Sequence, residues 1–364
     1  MKASILAFGW MVLLVNTAAA RPDEDRLKLL SRGVNLSHWF AQSTSQYNAD
    51  RIASFVSDEE IKRIRAAGFL HVRVGVEPAI VGDDSIMTLL KSKIEKLMAS
   101  DLAVVVDLHP VGDYKEKYRT DTGRAELIRT WESLIAKLVK FDPGRLFIEV
   151  MNEPFPIEGT EWQKLQSDAV QAIRRKAPKH TIVVNSGGWS GIDDIVAMTP
   201  LDDPNIVYTA HWYGPLLFTH QAADWTWEMV RRVKAVDWPI DRGAANAMAH
   251  GMASDREAET TLHYEISGGQ FEATFLDGKL DKLAEWQKRN GNAAIYIGEF
   301  GVYGLQAPRP SMLSWTRAAR TAYEKYDFGW SYWDYSPSFG LVSTGPGGRT
   351  FNADMLSALG LGAK

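Results

Sequence analysis

Residues 146–155 read LFIEVMNEPF and residues 295–303 read IYIGEFGVY. Each is an apolar run that ends in a glutamate, Glu153 in one and Glu299 in the other. A carboxylate at the end of a buried strand is costly unless it is solvated or paired. Strands of a parallel sheet read as near-continuous apolar runs because both faces are covered. In a closed parallel barrel, polar residues at the C-terminal strand ends line the active site. The two stretches therefore predict two strands that deliver their carboxyls to one mouth.

The same reading extends along the chain. Strand-like segments rich in Val, Ile and Phe fall at 32–35, 70–76, 102–108, 145–151, 180–185, 205–211, 293–298 and 328–333. Helical patterns lie between them. SDEEIKRIRAAGF carries Ser57 as N-cap, Glu60 three residues on, and Gly68 as its stop. Others cover 86–99, 122–140, 161–176, 275–290 and 312–325, with a short one near 352–359. Eight strands alternating with helices predict an α/β (β/α)8 barrel. An open doubly wound sheet is the competing arrangement, but no Gly-rich phosphate loop follows an early strand. One gap breaks the rhythm: about 214–274, between strand six and its helix, predicts an inserted lid or small helical subdomain. Within it, 225–236 has amphipathic spacing, which predicts a helix with one of Trp225 and Trp227 in the core.

Composition bounds the function. The chain has 364 residues, 45% apolar and 24% charged, with a net charge of −4. That balance gives no electrostatic case for nucleic acid. The absence of cysteine excludes thiol nucleophiles and zinc–thiolate sites. Thirteen Trp, 12 Tyr and 14 Phe are enough both to fill a core and to line a cleft for flat sugar faces. Residues 1–20, MKASILAFGWMVLLVNTAAA, have Lys2, a short apolar run and Ala18-Ala19-Ala20. This layout predicts a secretory signal peptide cut after Ala20, with the mature chain at 21–364 as a single catalytic domain. The product would be exported to the periplasm or the extracellular space, with no membrane attachment after cleavage.

Collected strand by strand, the C-terminal ends offer Arg73, then Asp107 and His109 in DLHP, then Asn152 and Glu153 in NEP. His211 and Tyr213 follow in HWY, then Glu299 in GEFG, then Trp333. Two facing carboxyls with aromatic walls suit cleavage of a glycosidic bond, one protonating the leaving oxygen and the other attacking the anomeric carbon or activating water. A metal hydrolase would want two or three converging histidines with a carboxylate; none is expected, and no cofactor.

These motifs, in this order over 31–340, resemble glycoside hydrolase family 5, the cellulase family of retaining barrel glycosidases. The resemblance implies that Glu153 is the acid/base and Glu299 the nucleophile. Asn152 would bond the sugar 2-hydroxyl, Arg73 would keep Glu299 ionised, and Tyr213 would donate to it. His109 and His211 would line the reacting subsite, with Trp333 as its stacking floor. The chain departs from the family at Gly75, where Pro often stands two residues after the strand-two Arg. Glu149 and Asp107 read as buried structural carboxyls with a basic or hydrogen-bonding partner.

Further sugar contacts are expected from Trp39 and His38 after strand one, Trp189 after strand five, and Trp212 beside His211. For Trp39 the alternative is a cap packed over the barrel mouth. The resemblance implies a retaining glycosidase acting on a β-linked glucan by double displacement, with carboxyls roughly 5–5.5 Å apart; a monomer is expected, since nothing in the sequence argues for more. Endo-β-1,4-glucanase is the first expectation, then β-mannanase and exo-β-glucanase. A glucan transglycosylase uses the same residues. A non-catalytic glycan-binding barrel would lack one of them, and every position is occupied.

Overall fold

The computed structural model describes residues 21–43, 47–240 and 256–362, and for 256–258 the backbone alone. The expected leader, 1–20, lies outside the described residues, as does 241–255 of the insertion. No helix among the described residues is long and apolar enough to cross a membrane.

Eight parallel strands close into a barrel in sequence order. They are β1 (Gly33–Asn35), β2 (His71–Val76), β3 (Ala103–Leu108), β4 (Leu146–Glu149), β5 (Thr181–Val184), β6 (Ile206–Trp212), β7 (Ala294–Phe300) and β8 (Gly329–Tyr332). Closure is made by β1 on β8, with Gly33 opposite Ser331 and Val34 opposite Tyr332. All eight expected strands form, because each is an apolar run buried on both faces. Val104, Val106, Ile148 and Ile182 pack outward under the helices. Val105, Phe147, Val183, Val207 and Tyr296 fill the lower interior.

The helices follow the sequence signals. The capping box forms, with Ser57 N–H donating to Glu60 Oε2 at 2.9 Å and Glu60 N–H donating to Ser57 Oγ at 3.2 Å. Long helices at Asp84–Ala99, Asp121–Leu138, Gly159–Lys176, Phe275–Arg289 and Arg309–Lys325 wrap the barrel.

Two features were not expected. The helix Glu24–Leu29 closes the N-terminal end of the barrel, its Leu27 and Leu29 packing with Leu30 on Val105 and Phe147. His71 seals it by donating from Nδ1 to the Leu29 carbonyl at 2.9 Å, with Tyr296 Oη 2.9 Å from Nε2. A hollow of about 1170 Å³ opens at this end, beside Leu27, Arg32, Asn292 and Phe328. These residues precede their strands, so it lies opposite the carboxyl-bearing ends. The second feature is an antiparallel hairpin, β9 (Val342–Gly345) with β10 (Gly348–Phe351), after β8.

The insertion corrects one expectation. Only Glu228–Arg232 is helical within 225–236, and Trp225 and Trp227 are both exposed, at 56% and 64%. Val230, Val233, Val236 and Trp238 supply the buried contact instead. The two Trp precede the helix, in a turn where Thr226 N–H and Oγ1 both donate to the Ala223 carbonyl.

Candidate active site

The barrel places Arg73, Asp107 and Glu149 on adjacent strands β2, β3 and β4, all facing inward. Arg73 is 1% exposed. Its guanidinium donates to both oxygens of Glu149 at 2.7 Å, from Nε and Nη2. Nη2 also reaches Asp107 Oδ2 at 3.0 Å and Asn152 Oδ1 at 2.9 Å. Nη1 donates to Glu299 Oε1 at 2.7 Å and to Asn35 Oδ1 at 3.0 Å. A rigid fork of five N–H donors thus holds three carboxyls at once, which a point charge on a flexible stem could not do. Glu149 and Asp107 have the basic partner expected of them. Since Arg73 is a donor only, the Asn152 oxygen faces it and the amide nitrogen is the other end.

Glu153 follows β4 in a turn tied to its neighbours. Asn152 N–H donates to the Leu108 carbonyl, and Phe155 N–H to the Gly188 carbonyl, both at 2.9 Å. Glu153 has φ of +34°, a sparsely populated conformation for a side-chain-bearing residue. Glu299 comes up on β7 through a local irregularity: Ala210 pairs with Ile297, but His211 pairs with Glu299, skipping Gly298. A Cβ on Gly298 would lie 2.5 Å from Thr209 Oγ1, so glycine is required for this step. His211 then sits between the two glutamates, with Nδ1 2.9 Å from Glu153 Oε1 and 3.6 Å from Glu299 Oε2. One oxygen of Glu153, one oxygen of Glu299 and a His211 nitrogen all lie within 4.8 Å of one another. A divalent cation could accept such a donor set, but Glu299 is already bonded to Arg73 and Tyr213, and His211 to Glu153.

Tyr213 donates from Oη to Glu299 Oε2 at 2.9 Å. Its backbone is held by Thr219 Oγ1, which donates to the Tyr213 carbonyl at 2.5 Å. His109 bonds Asp107 Oδ2 through Nδ1 at 2.6 Å and stacks on Trp333, ring centres 6.1 Å apart and 18° between planes. Gly75 has a local reason: a Cβ there would meet the His109 Cβ at 3.0 Å. Trp333 is partly exposed beside this pair.

Burial dominates the electrostatics. It pushes Asp107 up to about 6, and His109 and His211 down to about 3 and 4, so both imidazoles are neutral near pH 6. Burial also pushes Glu153 and Glu299 up, Glu299 against the pull of His211 and Arg73. The two glutamates differ in their donors. Glu299 accepts from a guanidinium and a phenol, whereas Glu153, among the described residues, is bonded only to an imidazole. These donors favour the charged form of Glu299 over that of Glu153.

The aromatic expectations divide. Trp189 is 50% exposed and stacks on Phe155, 4.6 Å apart and 14° between planes. Phe155, 40% exposed, was not singled out from the sequence, although it stands two residues after Glu153. Trp39 is no cleft wall. It is fully buried, its Nε1 donates to the Ile52 carbonyl at 2.9 Å, and Lys93 covers its ring. Trp212 also turns away from the cleft: next to inward-facing His211 on β6, it points outward and packs on Phe275. His38 is exposed near the mouth, its Nδ1 2.9 Å from the Gln42 carbonyl oxygen.

The barrel and its carboxyl pair define a glycoside hydrolase. Residues 23–339 match the family described as cellulase (glycosyl hydrolase family 5), and the chain belongs to that family. It is 24% identical to endoglucanase 3 of Fibrobacter succinogenes, an alignment covering 94% of this chain and 54% of that protein. It is 24% identical to endoglucanase C of Acetivibrio thermocellus, covering 83% of this chain and 90% of that one. The chain thus spans about half of the first relative and most of the second. Among solved structures it is similar to Thermotoga maritima Cel5A in complex with cellobiose, with a TM-score of 0.75, 25% identity, and coverage of 92% of this chain and 99% of that one.

Proposed function

We propose that the protein is a retaining endo-β-1,4-glucanase. The observation that carries the retaining reading is the approach of Glu153 and Glu299, whose nearest oxygens lie within 4.8 Å. An approach of that order suits direct attack, for which the carboxyls lie roughly 5–5.5 Å apart, rather than the wider gap that seats a water in inversion. Glu299 Oε attacks the anomeric carbon while protonated Glu153 gives its proton to the departing glycosidic oxygen. A glycosyl ester of Glu299 forms as the glycosidic bond breaks. Ionised Glu153 then takes a proton from the water that attacks the same carbon, and Glu299 leaves as carboxylate. Asn152 bonds the sugar 2-hydroxyl, His109 and His211 line the reacting subsite, and Trp333 supplies its floor. No cofactor takes part.

Glucan as substrate is supported by the family and by the cellobiose bound to the similar Cel5A structure. β-Mannan is the second substrate. A glucan transglycosylase is favoured by one observation: Phe155, two residues after Glu153, forms an exposed stack with Trp189 that could retain a sugar acceptor near the acid/base. We further propose export through residues 1–20 with cleavage after Ala20, one catalytic domain whose insertion overhangs the cleft, and a monomer.

The test is incubation of the purified 21–364 chain with carboxymethyl cellulose, β-mannan, laminarin and cello-oligosaccharides. Product lengths, reducing ends and anomeric configuration by NMR are followed. Mixed short oligomers of initial β configuration, with falling viscosity, support the proposal. An initial α product refutes retention, activity on mannan or laminarin alone moves the substrate, and products longer than the substrate establish transglycosylation.

A further inference from the structure

The peptide bond that joins Met151 to Asn152 is held at both ends. Its N–H donates to the Leu108 carbonyl at 2.9 Å, from the β3 side. Its carbonyl accepts from Asn185 Nδ2 at 2.6 Å, from the β5 side. Asn185 is the residue after β5 and is 1% exposed. Its amide faces one way only, because the Met151 carbonyl needs a donor and the other end, Oδ1, takes the Gly187 N–H at 3.3 Å. The backbone of Asn185 is clamped in turn by the helix Gly159–Lys176. Gln166, fully buried, accepts from Asn185 N–H through Oε1 at 2.9 Å and donates from Nε2 to the Asn185 carbonyl at 2.8 Å. Trp162 Nε1 also donates to that carbonyl, at 3.2 Å.

The residues that follow Asn185 extend this brace. The Gly188 carbonyl accepts from Phe155 N–H at 2.9 Å, and Gly188 N–H donates to the Ile157 carbonyl at 3.0 Å. The Ser190 carbonyl accepts from His211 N–H at 2.8 Å. The segment 185–190 thus grips the chain on both sides of Glu153. It also holds the backbone of His211, whose ring bonds Glu153 at 2.9 Å. Glu153 has φ of +34°, a conformation that persists only where the surroundings impose it. We propose that Asn185 is a positioning residue: by holding the Met151 carbonyl it fixes the turn that aims the Glu153 carboxyl at the glycosidic oxygen. The inference rests on the reading of Glu153 as acid/base. Glu299 takes its bonds from Arg73 and Tyr213, and among the described residues neither of these bonds Asn185. Loss of the Asn185 amide therefore harms proton delivery and spares nucleophilic attack.

The test compares kcat/KM on cellotetraose and on a dinitrophenyl cellobioside for the wild type, Asn185→Leu and Gln166→Met. Both values report cleavage of the glycosidic bond, and only cellotetraose needs a proton on its leaving group. Asn185→Leu keeps the volume and removes the donor to Met151. Its kcat/KM on cellotetraose should fall by about 10–100-fold, the cost of misplacing a reacting group by about an ångström, and on the dinitrophenyl substrate by less than about threefold. Gln166→Met loosens the same brace one contact further from Glu153, and should show a smaller loss with the same selectivity. Thermal midpoints establish which variants are folded, and Gln166→Met decides the matter if Asn185→Leu is not. Equal losses on the two substrates, or no loss on cellotetraose in the folded variants, overturn the proposal. A Glu153→Ala enzyme equally slow on both substrates would instead overturn the acid/base reading itself.

Discussion

Arg73 Nη1 donates to Glu299 Oε1 at 2.7 Å, and no atom of Arg73 bonds Glu153. This asymmetry distinguishes two otherwise similar buried carboxyls. It favours the ionised form of Glu299 over that of Glu153. The activity profile is therefore expected to be bell-shaped, the acidic limb following protonation of Glu299 and the basic limb loss of the Glu153 proton.

Glu299→Gln should abolish turnover on every substrate while leaving the thermal midpoint within a few degrees. Glu153→Ala should lower glucan hydrolysis by about 10²–10⁴-fold. It should be far less harmful with a dinitrophenyl cellobioside, whose leaving group needs no proton, and added azide should accelerate it. Steady-state rates on the two substrates decide this. An Ala variant equally slow on both would contradict the role of Glu153.

Arg73→Met should be costly to stability. It leaves Glu149 and Asp107, both 0% exposed, without their cation. Breaking a buried charge network from one side costs about 3–5 kcal/mol, read as a lower urea midpoint at unchanged slope. Arg73→Lys keeps the charge but not the fork, and should fall between.

The buried histidines should make acid costly to the fold well before the carboxylate range. Burial depresses His71 and His109 to about 3 and His211 to about 4. Their stabilising contribution is complete above the unfolded value of about 6.5 and is lost as pH falls toward 3, because the unfolded chain binds the protons first. Asp107, raised to about 6, acts in the opposite sense, its contribution being complete below about 4 and lost as pH rises through 6. The raised carboxyls of Glu149, Glu153 and Glu299 act in the same sense as Asp107, so the histidines are read by substitution, as the downward share each adds to denaturation free energy as pH falls from about 6.5 to about 4. His71→Gln should remove its share, so the gap between wild type and variant should shrink over that range.

Trp189→Ala should raise KM for cellopentaose by about 3–10-fold, the worth of an aromatic stacking contact. It should leave a small aryl cellobioside unaffected, since that substrate offers no sugar to the Phe155–Trp189 stack. Equal losses on both would place Trp189 outside the sugar path.

Trp39→Ala should behave in the opposite way. Removing a fully buried indole costs about 3–5 kcal/mol of stability, while kcat per folded molecule stays near the wild-type value. A selective rise in KM with unchanged stability would return Trp39 to the cleft.

The eight strands, the long helices between them and the strand-end residues Arg73, Asp107, His109, Asn152, Glu153, His211, Tyr213 and Glu299 were legible from the chain. Apolar runs buried on two faces have a local signature, and in a parallel barrel the end of every run points to the same mouth. Position in the sequence therefore carries position in space for these residues. The loops have no such rule. Trp39 and Trp189 both follow strands, yet one is sealed under Lys93 and the other lies open on Phe155. Trp225 and Trp227 match a helical pattern, but the buried valines beyond them took the contact.

What the sequence alone determined was the barrel and which residues reach its mouth, because two-faced burial and strand direction follow from local pattern. What only the tertiary structure decided was how those residues divide their partners. Arg73 spends its donors on Glu149, Asp107, Asn152, Asn35 and Glu299. Those contacts join five strands and a loop far apart in the chain. Their strength depends on distances and burial that no spacing of residues along the chain encodes.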